Sequence, residues 1–403
     1  MGTDPFDTTR LSTTRRSTAR SDTAPLDTAR LDRLVDAGDL LGFCVALRAD
    51  DGSTRVTTRG VTDPSGGAEV RPTTSYRLAS LSKPVGALLA AGLVAEGVLA
   101  PGDPIRSWVP ELDGVRVLRS PGGPLDDSEP LARPITVHDL LTMTSGLGVR
   151  FDDTPLSRAM GETGLHPGPV PPRLDDVTFL ARLGELPLAF QPGTGWAYHT
   201  STDVLSVVLA RASGVPLDRL LADRLTGPLD TPSLSFATPP PGDRAQAYYD
   251  DGEGWAPVEP DGPQDPAMLT LSCGLWGNAP DTARVLGELV APTCLPAAAV
   301  ATVRTPALQP DQLAAARPFV PDGYSFGHHV SVATRDDPRG PRAGSAGWSG
   351  GTGTLGIADP TARRTVVLLT NRGVDGPLGT GAFDAVLADL WADVRTDVEE
   401  ARR

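Results

Sequence analysis

The chain lacks most of what would tie it to nucleic acid, membrane or metal. Against 50 acidic residues it carries only 36 basic ones, for a formal net charge of −14. Proteins that grip phosphate backbones carry basic patches instead, so nucleic acid is excluded as a partner. No apolar run reaches the roughly 20 residues that a bilayer span needs, so no membrane partner is expected. Cysteine is scarce: Cys44, Cys273 and Cys294 stand far apart, with no Cys-x-x-Cys. That is neither a disulfide framework nor a zinc knuckle, and a cytoplasmic, reducing setting follows as the expectation. Residues 1–25 are rich in Thr and Arg, hold no apolar stretch of the kind a secretory signal needs, and read as a flexible tail. The 5 histidines (138, 166, 199, 328 and 329) show no spacing such as His-Glu-x-x-His. Neither a metal nor any other cofactor is expected.

The scarcest residue is the most informative one. Lys83 is the only lysine, and the other 35 basic residues are arginines. A chain that uses arginine wherever a cation is wanted has kept one amine, which suggests a place where guanidinium cannot serve. Arginine's pKa is too high for it to act as a base, whereas a buried lysine can be tuned to lose its proton. An accidental survivor would look the same from this fact alone.

The periodicities divide the chain into three parts. LDTARLDRLVDAGDL reads as a helix with Leu31, Leu34 and Val35 on one side, followed by strands at 42–49 and 54–60 around Asp50–Ser53. Residues 78–100 form a nearly all-apolar, hence buried, helix, in which Pro84 is tolerable only near the first turn. The stretch 100–260 is rich in Pro, Gly and Asp, with short helices such as TVHDLLTM and STDVLSVVLARAS. Strand signals return in YSFGHHVSVAT, GTGTLGIA and RTVVLLTN, the last two making a hairpin, and a stripe from Phe383 to Val394 reads as a closing helix. The expected fold is α+β. An α/β domain is built from residues 26–78 and 260–395, with a mainly helical subdomain over 79–259 and an active site at their interface.

Ser80 and Lys83 spell Ser-x-x-Lys at the head of the buried helix, so the amine can reach the hydroxyl across one turn. Burial lowers a lysine pKa, and a neutral amine beside a serine can take its proton. A capping serine with a snorkelling lysine would give the same spelling. Tyr198, just ahead of a helix, offers a phenol for proton transfer. In Trp348-Ser349-Gly350-Gly351, small residues at a strand start let a substrate lie against the backbone, where an N–H can face an oxyanion.

In this order, with SYRLASLSKP, ITVHDLLTMTSGL, the PGT…Y…DVL segment and the terminal hairpin, the chain resembles the serine β-lactamase and penicillin-binding-protein superfamily. Class C β-lactamases and family VIII esterases are the nearest in motif. The resemblance runs from about residue 30 to 395 and implies a β-lactamase/transpeptidase-like fold, an antiparallel sheet flanked by helices with an all-helical insertion. It implies Ser80 as the acylated nucleophile, Lys83 as its base, Tyr198 as a second proton-transfer group and the backbone N–H groups of Ser80 and Gly351 as the oxyanion hole. Two departures bear on substrate. The usual Tyr-x-Asn is Tyr198-His199-Thr200, and the third motif begins with Trp348 where a cation usually stands to hold a carboxylate.

Gly347-Trp348-Ser349-Gly350-Gly351 also fits the Gly-x-Ser-x-Gly elbow of α/β-hydrolases, but a strand follows it and no histidine lies beyond His329. The elbow reading fails. Thr200, His199 and Trp276 are taken with Trp348, Ser349 and Gly350 as candidates for substrate contact. An alternating neighbour of Tyr198 such as His199 more often points away, and Trp276 suits a core equally well. His328 and His329 lie on an apparent strand, where at most one can face the cleft. Cys273 reads as a small buried residue rather than a nucleophile. The function expected is a serine hydrolase working through acyl-Ser80 on esters or similarly activated acyl donors of small-molecule size. Transfer of the acyl group to an amine or alcohol, as by a transacylase or cyclase, is the alternative. β-Lactam or D-alanyl-peptide hydrolysis, and a silent binding protein on the same fold, rank below it.

Overall fold

The segment Gly42–Ala49 is apolar on both of its alternating faces, which a strand can satisfy only inside a sheet covered on both sides. The computed structural model, which describes residues 26, 28–65, 67–148, 153–250, 254–262, 264–317, 319–337 and 340–374, places this segment as strand β1 beside β2 (Thr54–Gly60). Five strands from the far end of the chain complete the sheet: β3 (Tyr324–Phe326), β4 (Ser331–Ala333), β5 (Ala346–Gly350), β6 (Thr354–Asp359) and β7 (Arg364–Thr370). The order is β3-β4-β5-β6-β7-β1-β2, antiparallel throughout.

The two-residue period of β1 sorts its side chains into two cores. Phe43, Val45 and Leu47 join Val366, Leu368 and Leu31, the last from helix α1 (Ala29–Ala37). Cys44 and Ala46, with Val367 and Leu369, turn to the larger core. That core holds α2 (Ser82–Ala95), α3 (Thr200–Ser213), α4 (Ala279–Leu286) and one face of α5 (Ala297–Val303). Helix α2 is buried from Ser82 to Leu93, and Pro84 sits in its first turn, where the missing N–H breaks no bond. A further short helix is α6 (Pro310–Ala316), and Phe319 follows it in the loop before β3.

Two expectations need correction. The middle of the chain is not purely helical: Arg116–Leu118 pairs with Ser128–Pro130, and Tyr248–Asp250 with Trp255–Pro257. Pro- and Gly-rich backbone cannot hold a helix there, and its polar groups pair in short ladders instead. YSFGHHVSVAT is not one strand either, because the chain reverses between β3 and β4 at Gly327–Val330, with His329 at φ +56°. The tail over 1–25 and the stripe from Phe383 to Val394 lie outside the described residues. Among the described residues no helix is long and apolar enough to cross a membrane.

Candidate active site

Ser80 sits in a single 3₁₀ turn, Ala79–Leu81, that feeds α2 and is entered through Ala79 at φ +47°. A non-glycine residue in that region is strained and persists only when its surroundings hold it. Here they do. Leu78 N–H donates to Leu275 O at 2.8 Å, while the hydroxyls of Thr352 and Thr354 donate to the carbonyls of Arg77 and Leu78 at 2.6 and 2.7 Å. The end of β5 presses on the same turn, since a Cβ on Gly350 would stand 2.2 Å from Leu78 O. Glycine is required at that place by contact, while Gly351 beyond it is partly exposed and Ser349 is exposed.

Lys83, fully buried, brings its Nζ to 2.9 Å from Ser80 Oγ and donates to Ser272 O at 2.7 Å. His199 Nδ1 lies 3.4 Å away, and the Tyr198 ring centre 4.6 Å. Burial pulls the lysine down from its ordinary 10.5 to about 8, against the opposing pull of Cys273 and Asp203. Burial pushes Tyr198 up, partly offset by hydrogen bonds to its oxygen from Ser80 and Trp348. The Trp348 indole N–H donates to that oxygen at 2.6 Å. Phe319 stacks on the Tyr198 ring at 4.5 Å, and Phe326 meets Trp348 edge-on at 5.3 Å.

His199 has φ +81° and ψ −70°, and Thr200 N–H closes back on Tyr198 O at 3.2 Å. This is the strained γ-turn with a positive central φ. The turn defeats simple alternation and directs both Tyr198 and His199 toward Lys83. The His199 Nε2 lies 3.7 Å from Asp203 Oδ2, and Thr270 donates to Asp203 Oδ1 at 2.7 Å. Burial holds His199 well below the usual imidazole value and raises Asp203.

Ser80, Lys83, Tyr198, His199 and Trp348 thus converge. Thr200 and Trp276 do not offer themselves to a substrate. Thr200 is buried, and its hydroxyl finds no partner among the described residues. Trp276 lies buried beneath the Arg77 guanidinium, which Glu259 clamps with two bonds at 2.8 and 3.0 Å. Helix α3 turns Thr200 inward against Gly148, and the Arg77 clamp covers Trp276. Ser349 stands on a strand that runs on into a hairpin, with no helix behind it. His329 is buried with Nε2 at 3.0 Å from Leu140 O, His328 packs against His138, and Cys273 is buried with its thiol pushed up to about 12. The motifs assign no role to Ser272 or Phe319, nor to Asp203, although Asp203 stands in the DVL segment. Asp203 alone left a trace, four residues after His199 and so on the same helix face. Among the described residues no group of three His, Cys, Asp or Glu side chains is placed to hold a metal ion.

The family model described as Beta-lactamase matches residues 28–390. Esterase EstB of Burkholderia gladioli is 32% identical over 82% of this chain and 86% of its own length. Acyltransferase calJ of Penicillium decumbens is 26% identical over 82% and 84%. Among solved structures, EstCE1, described as a hydrolase with promiscuous acyltransferase activity, superposes with a TM-score of 0.76 over 90% of this chain and 96% of its own, at 23% identity.

Proposed function

The chain belongs to the β-lactamase family, and from that premise we propose that it is a serine hydrolase forming an acyl-Ser80 intermediate on small, largely apolar carboxylic esters. The observation that carries this reading is the Lys83 amine, 2.9 Å from Ser80 Oγ and lowered to about 8. Such an amine is neutral often enough near neutral pH to take the serine proton as Oγ attacks the acyl carbon. The oxyanion forms against the backbone N–H groups of Ser80 and Gly351. Tyr198, bonded to the Ser80 hydroxyl, gives its phenol proton to the departing alkoxide as the proton held by Lys83 replaces it, and in deacylation the water proton returns by the same groups to Ser80 Oγ as the acyl–oxygen bond breaks. Trp348 and Phe319 pack against the Tyr198 ring beside Ser80, and Phe326 backs Trp348 from the core. A carboxylate desolvated there without a partner costs several kcal/mol, whereas an apolar acyl chain gains contact. The chain needs neither nucleic acid nor a membrane for this work and suits the cytoplasm.

Transfer of the acyl group to an alcohol or amine is the second reading, favoured by the likeness to calJ and EstCE1. Intact mass after mixing with p-nitrophenyl butyrate tests the first: a butyryl adduct is expected in the wild type and absent from Ser80→Ala. An adduct retained in Ser80→Ala, or none in either, overturns it. Faster loss of the adduct when alcohols or amines are added, with the new ester or amide recovered, marks transfer.

A further inference from the structure

A neutral primary amine has two N–H bonds and one lone pair, and three neighbours compete for them at Lys83 Nζ: Ser272 O at 2.7 Å, Ser80 Oγ at 2.9 Å and His199 Nδ1 at 3.4 Å. The Ser272 carbonyl can only accept, so it takes one N–H. The other N–H and the lone pair are divided between His199 and Ser80. A bare Nδ1 takes the N–H and leaves the lone pair facing the serine hydroxyl. A protonated Nδ1 would claim the lone pair and turn an N–H toward Ser80, leaving the amine a donor where a base is needed.

We propose that His199 is a positioning residue for Lys83, held by Asp203 as the Nε2–H tautomer so that the amine's lone pair faces Ser80. This role rests on the reading of Lys83 as the base. Asp203 Oδ2 lies 3.7 Å from His199 Nε2, longer than a hydrogen bond but close enough for a carboxylate's negative charge to favour an N–H at that nitrogen. The Thr270 hydroxyl donates to Oδ1 at 2.7 Å, and the Ser272 side chain also bonds the carboxylate. The γ-turn fixes the ring between Lys83 and Asp203. Burial keeps the imidazole neutral, so its tautomer rather than its charge is the variable. Besides Lys83 and Asp203, His199 faces the Tyr198 ring at 5.9 Å and the field of His166. As the Oγ–acyl bond forms, the serine proton moves to Nζ. The resulting ammonium has three N–H bonds for the same three acceptors, so His199 need not change between the two states.

Imidazole ¹⁵N spectra of histidine-labelled protein test this directly, with the His199 signals identified by their loss in His199→Asn. The wild type is expected to show Nε2–H and a bare Nδ1. In Asp203→Asn the Thr270 hydroxyl keeps the amide oxygen, so the amide N–H₂ meets Nε2 and drives the proton to Nδ1. The expected result is an inverted tautomer with kcat/KM down about 10²-fold or more, mostly in kcat. His199→Asn, whose amide oxygen can replace Nδ1 as acceptor, should stay within about tenfold of wild type, while His199→Leu should fall about 10²-fold. A wild-type Nδ1–H tautomer, or a His199→Leu enzyme as fast as wild type, overturns the role. Should Asp203→Asn not fold, the wild-type tautomer and the His199 pair still decide. An Nε2–H histidine in a chain whose Ser80 is never acylated would overturn the proposed function, and this role with it.

Discussion

Ser80 has two unlike flanks. On one, Lys83, His199, Asp203 and Thr270 form a sealed polar chain, each member within 2.7 to 3.7 Å of the next. On the other, Tyr198, Trp348, Phe319 and Phe326 stack ring on ring, with one hydrogen bond, indole to phenol, among them. The polar flank is buried, so each of its contacts is electrostatically strong and each loss leaves a buried orphan. The aromatic flank offers area and little direction. The difference suggests a division of labour, with proton position set on one side and acyl preference on the other. Ser80 and the Tyr198 phenol join the two.

Changes at the junction should have the largest effects. Ser80→Ala is expected to abolish fluorophosphonate labelling and cut turnover on the order of 10⁴-fold or more, as loss of a nucleophile does. Label that moves to Ser349 would break the comparison, because the reactive serine would then lie outside both flanks. Next comes the polar flank. Lys83→Arg should stay folded and lose at least ~10²-fold in kcat/KM, since guanidinium has no lone pair to offer. The wild-type kcat/KM should climb with pH and level off above about 8, the value to which burial lowers the amine, because the protonated form below it cannot accept. Stability should also rise with pH between about 8 and the ordinary 10.5, since unfolding takes up a proton in that window.

The aromatic flank should answer in selectivity and by less. With p-nitrophenyl butyrate set beside nitrocefin, kcat/KM should favour the ester. A cephalosporin preference would show that the rings do not exclude a carboxylate. Trp348→Phe keeps the wall and removes the indole donor, 2.6 Å from the Tyr198 oxygen. A neutral hydrogen bond of about 1 kcal/mol implies a loss of roughly fivefold in kcat. A loss as deep as that of Lys83→Arg would mean that the wall also governs the proton.

What could be read from the sequence was what repeats with a short period or sits within one helical turn. The β1–β2 and β6–β7 hairpins followed from alternation and from turn residues, and the closeness of Ser80 to Lys83 from a spacing of three. His199 was legible only as a candidate for substrate contact, and its turn toward Lys83 was not, because alternation sends a neighbour of Tyr198 the other way and nothing local announces a positive φ at a histidine. Ser272 and Asp203 reach Lys83 across separations of 189 and 120 residues, and the first acts through a carbonyl that every residue carries. The turn at His328–His329 was hidden by flanking apolar residues, although Gly327 inside the run was a signal for a break. Thr200 and Trp276 were assigned by motif position, and their inward rotation is a property of the packing around them.

The solitary lysine makes the protein its own spectroscopic instrument. Supplied with lysine carrying ¹⁵N at Nζ, the cell would build a chain with one labelled ammonium or amine, enclosed at the centre of the reaction site. No assignment problem would exist, and exchange with water would be slow enough in that enclosure for the signal to persist. The same resonance could be followed through titration, through acylation of the neighbouring serine and through each change at His199 or Asp203, so that the base reports its own state at every stage of turnover.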